Sequence, residues 1–358
     1  MATAATSDKK SQTWRPLLWG LAAFHFLPLF PPFDVLMPVQ QTLILLVPAL
    51  AVCALIGWRA GGPAGLALIL LGASGWILVQ FAGPPLTAYK DLTSFPALFW
   101  VMLQPLGVSG TAYNIMAPAW AVLLAASFGV MTLLAGNSGF FTRALGAVGL
   151  ALGIAFMLAL SSPSGIARFQ HADGEELMRR ATLSATALSR GSEQLNQVGG
   201  TTLSELYDGA AAMERDIAKY APKLVAALLA LECLAALGLA WATYHRLSQV
   251  QLGPGLGRLA EFRFNDQLIW GLAVGLTLTL LPAFGEGRNA GYNLLIFFGA
   301  IYTLRGLGLL GWIMKERYLF LFLPTLIPWG GPALLMTALS LGVTDTWLDL
   351  RNRAKVQP

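Results

Sequence analysis

The sequence predicts an all-α protein, a polytopic transmembrane bundle of about eight spans, eight to ten at most, with one extramembrane helical hairpin. Of 358 residues, 56% are hydrophobic and 11% charged, where a soluble chain carries about a quarter charged. Mean hydropathy is +0.63. Apolar runs of roughly the 20 residues needed to cross a bilayer recur between short polar breaks. The net charge of +5 is what Lys and Arg collected on a cytoplasmic face would give, so no nucleic-acid partner is expected. Cys53 and Cys233 each sit inside an apolar run, which offers neither a disulfide framework nor a zinc spacing.

Each span can be justified in turn. Trp14 to Phe33 follows Lys9 and Lys10 like the apolar core of a secretory signal, but Pro28, Pro31, Pro32 and Asp34 stand where a small-residue cleavage site would be. It is read as an uncleaved first span. Val39 to Trp58 and Pro63 to Gly83 are joined by a tight turn at Gly61-Gly62-Pro63. Met116 to Gly136 and Thr142 to Ser161 follow, then Pro222 to Tyr244, Gln267 to Gly285 and Gly291 to Met314. Two runs are ambiguous. Phe95 to Gly110 is short and holds Pro96 and Pro105, and Tyr318 to Val343 is either one kinked helix or a hairpin. If neither crosses, the short segments on one side collect most Lys and Arg, while the other loops, leaving aside the long polar section that the positive-inside count discounts, hold Lys90 and Arg288. That asymmetry favours eight spans with both termini cytoplasmic. The expected divisions are 1–162, N-terminal transmembrane helices; 163–221, a hairpin, periplasmic by the charge argument; 222–343, C-terminal transmembrane helices; and 344–358, a cytoplasmic tail.

In the hairpin, Leu177, Ala181, Ser184, Leu188, Leu195 and Val198 repeat at a 3-4 spacing, and so do Leu203, Leu206, Ala210, Met213, Ile217 and Tyr220 after Gly199-Gly200. Each set places one apolar stripe on a helix. Asp173 with Glu176, and Thr202 with Glu205, have capping-box spacing. The two stripes are expected to pack on each other in arms that project from the bundle.

An ionisable group in hydrocarbon costs several kcal/mol unless it is paired or wet, so charges at membrane depth are the candidates for function. Glu232 and Arg305 lie deep in their spans, and an ion pair between them is expected. Asn293 and His25 join them as candidate binding residues, with Gln80, Gln104 and Asn114 as weaker polar positions. None is accompanied by metal-ligand spacing, so neither a metal nor a cofactor is expected. Gly72-Ala73-Ser74-Gly75 and Gly107-Val108-Ser109-Gly110 match an intramembrane protease pattern, but no histidine on a later span can activate either serine. The chain is not expected to be an enzyme. Gly253-Pro254-Gly255-Leu256-Gly257-Arg258 resembles a phosphate-cradling loop only in composition, since no strand precedes it, and reads as a flexible cytoplasmic linker. The pairs Gly149/Gly153 and Gly271/Gly275 read as close-packing positions.

The second half resembles a known family. Met213 to Pro222 before an apolar span, Gly257-Arg258-Leu259, Glu261-Phe262-Arg263-Phe264, Asp266 to Trp270, Asn293-Leu294-Leu295, Leu304-Arg305-Gly306 and the closing Leu341 to Arg351 are similar to the YybS-like membrane proteins that share the domain of unknown function DUF2232. The first half has no such motif. The resemblance implies distant likeness to substrate-binding subunits of vitamin transporters and to a rod-shape scaffold protein, two different functional classes. The expectation is therefore a multi-pass protein of the bacterial cytoplasmic (inner) membrane with a small-molecule binding or transport-related role. Its binding residues would be Glu232, Arg305, Asn293 and His25, in contact with the lipid bilayer. The alternative is a non-catalytic scaffold or assembly protein of the cell envelope, holding a membrane or envelope partner through residues 173–221.

Overall fold

The computed structural model describes residues 14–30, 33–82, 112–134, 138–161, 165–197, 201–220, 223–248, 252–281, 287–314, 330–351 and 353. Among them every regular element is helical. The helices are α1 (Arg15–Phe26), α2 (Phe33–Leu36), α3 (Val39–Arg59), α4 (Ala64–Ala82), α5 (Ala112–Leu134), α6 (Phe140–Leu160), α7 (Gly165–Gln197), α8 (Thr201–Tyr220), α9 (Val225–Leu247), α10 (Ile269–Leu280), α11 (Gly287–Ile313) and α12 (Gly330–Leu348). Single 3-10 turns cover Leu27–Leu29, Leu259–Glu261 and Asp266–Leu268. The protein is an all-α helical membrane bundle. Among the described residues five helices are long and apolar enough to cross a bilayer: Gln40–Arg59, Met116–Leu134, Phe140–Leu160, Val225–Leu247 and Gly287–Ile313. Ala64–Leu78 and Asp266–Leu280 are shorter apolar helices.

The expected first span is not one long helix. Pro28 lacks the N–H that would continue the ladder, so α1 stops at 12 residues and passes into the 3-10 turn. Pro48 and Pro118, in contrast, lie inside α3 and α5, as spanning helices tolerate when neighbouring groups satisfy the freed carbonyl. The turn at Gly61-Gly62-Pro63 is as expected. Gly61 takes φ +84°, and Gly62 N–H bonds to Gly57 O at 3.0 Å. The ambiguous run 95–110 lies outside the described residues, as do Gln104 and residues 318–329. Helix α12 covers the rest of the last run and continues to Leu348, past the point where the tail was expected to begin.

The described chain packs as two compact units, 1–222 with 232–255, and 223–231 with 256–358. The hairpin α7/α8 thus belongs with the N-terminal helices rather than standing as a separate division. In the first unit the start of α6 meets the end of α9, where Phe140 lies against Gly238, and Gly57 near the end of α3 meets Tyr244. Around that end Trp241 packs on Phe128 and Tyr244, and the Arg143 guanidinium stands 5.3 Å over the Trp241 ring. The loop after α9 is pinned there, since Arg143 donates to Leu252 O at 2.8 Å, Trp241 Nε1 to Pro254 O at 3.1 Å and Leu252 N to Tyr244 Oη at 3.1 Å. The expected flexible linker is instead a bonded loop, because the carbonyls of Leu252 and Pro254 are the acceptors that these buried donors need. Since α3 and α6 run in opposite senses, the start of α3 and the end of α6 share the other end of the unit.

At that other end the hairpin departs from expectation. Helix α7 starts at Gly165, ahead of the expected cap at Asp173, as no Pro interrupts 165–173. Its middle is held down on the bundle, with Ala181 packed on Val35 and Arg180 bonded to Gln41, so the arm does not project freely. The stripes do not pack on each other either. On α8, Ser204, Ala211 and Glu214 turn inward, while Leu203, Leu206, Met213 and Tyr220 are exposed. The inward side carries a polar contact: Ser184 Oγ donates to Glu214 Oε1 at 2.9 Å.

In the second unit α10, α11 and α12 pack through glycines. Gly275 sits against Leu294, Leu295 and the Gly291 carbonyl, and Gly271 against Phe298. Gly306 and Gly342 bring the backbones of α11 and α12 together at the Ala338 and Tyr302 carbonyls. By contrast, among the described residues nothing packs within 4 Å of the Cβ positions of Gly149 and Gly153 of α6.

Candidate functional site

Glu232, the one acid of α9, is buried at 6% exposure. Its Oε2 accepts from Gln41 Nε2 of α3 at 2.6 Å, and the same amide turns its Oε1 to Arg180 Nη1 of α7 at 3.2 Å. Arg180 also donates to Glu176 Oε1 at 2.9 Å, and Arg179 binds both oxygens of Glu176 at 2.6 and 2.9 Å. One polar chain therefore runs from the span to the hairpin: Glu232, Gln41, Arg180, Glu176, Arg179. Two acids and two arginines balance in charge, which is how buried ions are tolerated. Glu232 Oε1 is buried and has no hydrogen-bond partner among the described residues. Gln41 lies in the first turn of α3, so the chain sits near that end of the unit.

Glu176 lies on the hairpin. Burial raises its carboxyl pKa, but hydrogen bonds from Arg179 and Arg180 together with their charges outweigh this and hold it below the usual carboxylate range. A depressed folded pKa contributes stability above the unfolded value of about 4.3, and that stability is lost as pH falls through the folded value. Thermal unfolding in detergent should therefore show a loss of stability below about pH 4 that is absent in Glu176→Gln; an identical acid profile in that variant would assign the loss to other groups.

Arg305 anchors a second cluster, in the second unit. It donates from Nε to Asp345 Oδ2 at 3.0 Å, from Nη1 to Asp266 Oδ1 at 2.7 Å and from Nη2 to Asp345 O at 3.3 Å. Its guanidinium stands 5.3 Å over the Phe264 ring. Arg351 in turn donates to Arg305 O at 3.2 Å and Phe262 O at 3.3 Å, and Arg263 pairs with Asp349 at 2.7 Å. This network ties the 259–266 segment and the end of α12 to α11. The expected Glu232–Arg305 ion pair is not among these contacts: within its own unit the acid bonds to Gln41 and the arginine to two aspartates.

The other candidates, Asn293 and His25, bond to backbone groups. Asn293 accepts from Ala227 N at 2.8 Å and donates to Lys223 O at 2.6 Å and to Asn289 O at 2.8 Å, tying the start of α9 to α11. His25 bonds through Nδ1 to Leu21 O at 2.9 Å within its own helix and meets Phe24 edge-on. The side chains of Gln80 and Asn114 lie outside the described residues. Sequence reasoning missed Gln41, Arg180, Glu176 and Asp345. Glu176 with Arg180 at i,i+4 is a legible helical pair, but nothing local in the sequence marks Gln41 or Asp345 as their partners.

No curated protein and no solved structure matches the chain. A family match does exist and reaches well into the first half, where no motif had been placed. Residues 65–346 match the family described as predicted membrane protein (DUF2232), and the chain belongs to that family.

Proposed function

We propose that this integral membrane protein binds a small polar ligand at Glu232, in a transport-related role. The observation that carries the reading is the second carboxylate oxygen of Glu232, buried beside a hairpin arginine relay with no hydrogen bond to Oε1. A carboxylate oxygen left unbonded away from water is costly. A ligand offering a donor or positive charge, such as a protonated amine, would satisfy it, with Gln41 already orienting the carboxylate. Arg305, Asn293 and His25 drop out of the site because each is committed to bonds that hold the fold. The Lys and Arg distribution supports placement in a bacterial cytoplasmic membrane with the N-terminus inside. The chemistry proposed is binding without catalysis.

Glu232→Gln keeps the shape and an acceptor for Gln41 while removing the charge. In a thermal-shift screen of the detergent-purified protein against ammonium, small amines and polar metabolites, at least one donor-bearing compound should stabilise the wild type and leave Glu232→Gln unshifted. Native mass spectrometry should show the same compound retained by the wild type alone. If every compound that shifts the wild type shifts the variant equally, the site is not at Glu232.

A further inference from the structure

The outward side of α8 is unexplained by the binding reading, and we infer that it is seated in the interfacial region of the bilayer, making the hairpin a membrane-surface element rather than a free arm. Leu203, Leu206, Met213 and Tyr220 follow the 3-4 spacing of one helical stripe, and they are 53%, 65%, 52% and 55% exposed. The side facing α7 is made of Ser204, Ala211 and Glu214. An apolar stripe turned away from the protein needs an apolar neighbour.

The position of the hairpin names that neighbour. Helix α7 begins just past the end of α6, and its middle, at Arg180 and Ala181, rests on Gln41 and Val35. Both points lie at the same end of the first unit, so the first half of α7 runs along that end. Fifteen residues of helix cover roughly 22 Å, about two helix diameters. The same helix continues from Ala181 to Gln197, carrying the hairpin on toward the rim, where lipid begins. Helix α8 lies antiparallel beside it, as Glu214 meets Ser184 and Tyr207 meets Gly191. Tyr220, at its end, stands just before the spanning helix α9 in the chain. Both hairpin ends therefore lead directly into spans, and α8 is held at headgroup level.

Charge separates this from attraction to anionic lipid. The exposed charged residues on the other side of α8 are Glu205, Asp208, Arg215, Asp216 and Lys219, three acids against two bases, with no basic excess. Interfacial helices bind through apolar area and basic charge together; here the apolar term acts alone, so neutral lipid suffices. A tyrosine at the interface, such as Tyr220, keeps its ring in the apolar layer and its hydroxyl wet.

The test uses the full chain in phosphatidylcholine vesicles, with single cysteines at Leu206 and Met213 on the stripe and at Glu205 and Ala212 off it, each carrying an environment-sensitive fluorophore. Native Cys53 and Cys233 are buried, and the unsubstituted protein serves as the labelling blank. Labels at 206 and 213 should be quenched several-fold more by a lipid-borne nitroxide than by aqueous iodide, with the reverse at 205 and 212. Quenching of 206 and 213 by iodide alone would overturn the inference, since the stripe would then face water. Shielding from both quenchers would also overturn it, because a protein surface would then cover the stripe. All four sites are exposed, so none of these readouts depends on a core substitution being tolerated.

Discussion

Arg305→Ala should destabilise the unit formed by 256–358 by about 3–5 kcal/mol, the usual cost of leaving one half of a buried ion pair without its partner. The Asp345 side chain is 0% exposed and Arg305 3%. Removing the guanidinium strips Asp345 Oδ2 of its donor, frees Asp266 and takes the cation from the face of Phe264. Desolvation gives the loss its size, since a carboxylate in this position cannot recover water without opening the helix contact. Arg305→Lys should fall between, because one ammonium cannot serve the side chains and the Asp345 carbonyl in the arginine's planar geometry. Arg305→Met with Asp345→Leu should recover much of the loss, as apolar replacement of a whole buried pair often does. Denaturant unfolding in detergent, followed by tryptophan fluorescence, measures all three. If the double variant is no better than the worse single, the pair is not the source of the stability.

What the sequence revealed and what it hid divide along physical lines. Hydrophobic length is a local property, so the five long helices, the turn at Gly61 and the two hairpin helices could be read directly. Depth is local too, which is why Glu232 and Arg305 stood out. Partnership is not local. Gln41 is 191 residues from Glu232 and 139 from Arg180, and Asp345 is 40 from Arg305; no periodicity encodes such distances. The α8 stripe shows a subtler failure. Its 3-4 spacing correctly implied a helix with an apolar side, but the side that faces α7 is the one carrying Ser204, Ala211 and Glu214, where Ser184 bonds to Glu214. A spacing pattern marks an apolar side but does not say which neighbour that side meets.

The backbone contact that makes the Arg305 cluster possible should be as sensitive as the cluster itself. A Cβ added at Gly306 would fall on the Ala338 carbonyl, and one at Gly342 on the Tyr302 carbonyl. Neither neighbour is a side-chain tip that can swing away, so Gly306→Ala must push α11 and α12 apart. Overpacking of this kind costs about 1–3 kcal/mol, occasionally more, and here close approach replaces the hydrophobic drive that lipid does not supply. Gly299 and Gly331 are internal controls, because no described residue comes within 4 Å of the Cβ position of either. There the same substitution should be neutral, or stabilising by up to about 1 kcal/mol through the better helix propensity of alanine. Gly306 adjoins Arg305 and Gly342 lies three residues before Asp345, so separating the helices also draws the carboxylate from the guanidinium. Gly306→Ala and Asp345→Asn should then be less than additive when combined, both having broken the same contact. Full additivity in the unfolding measurement would mean that the glycine crossing and the ion pair stabilise the two helices independently.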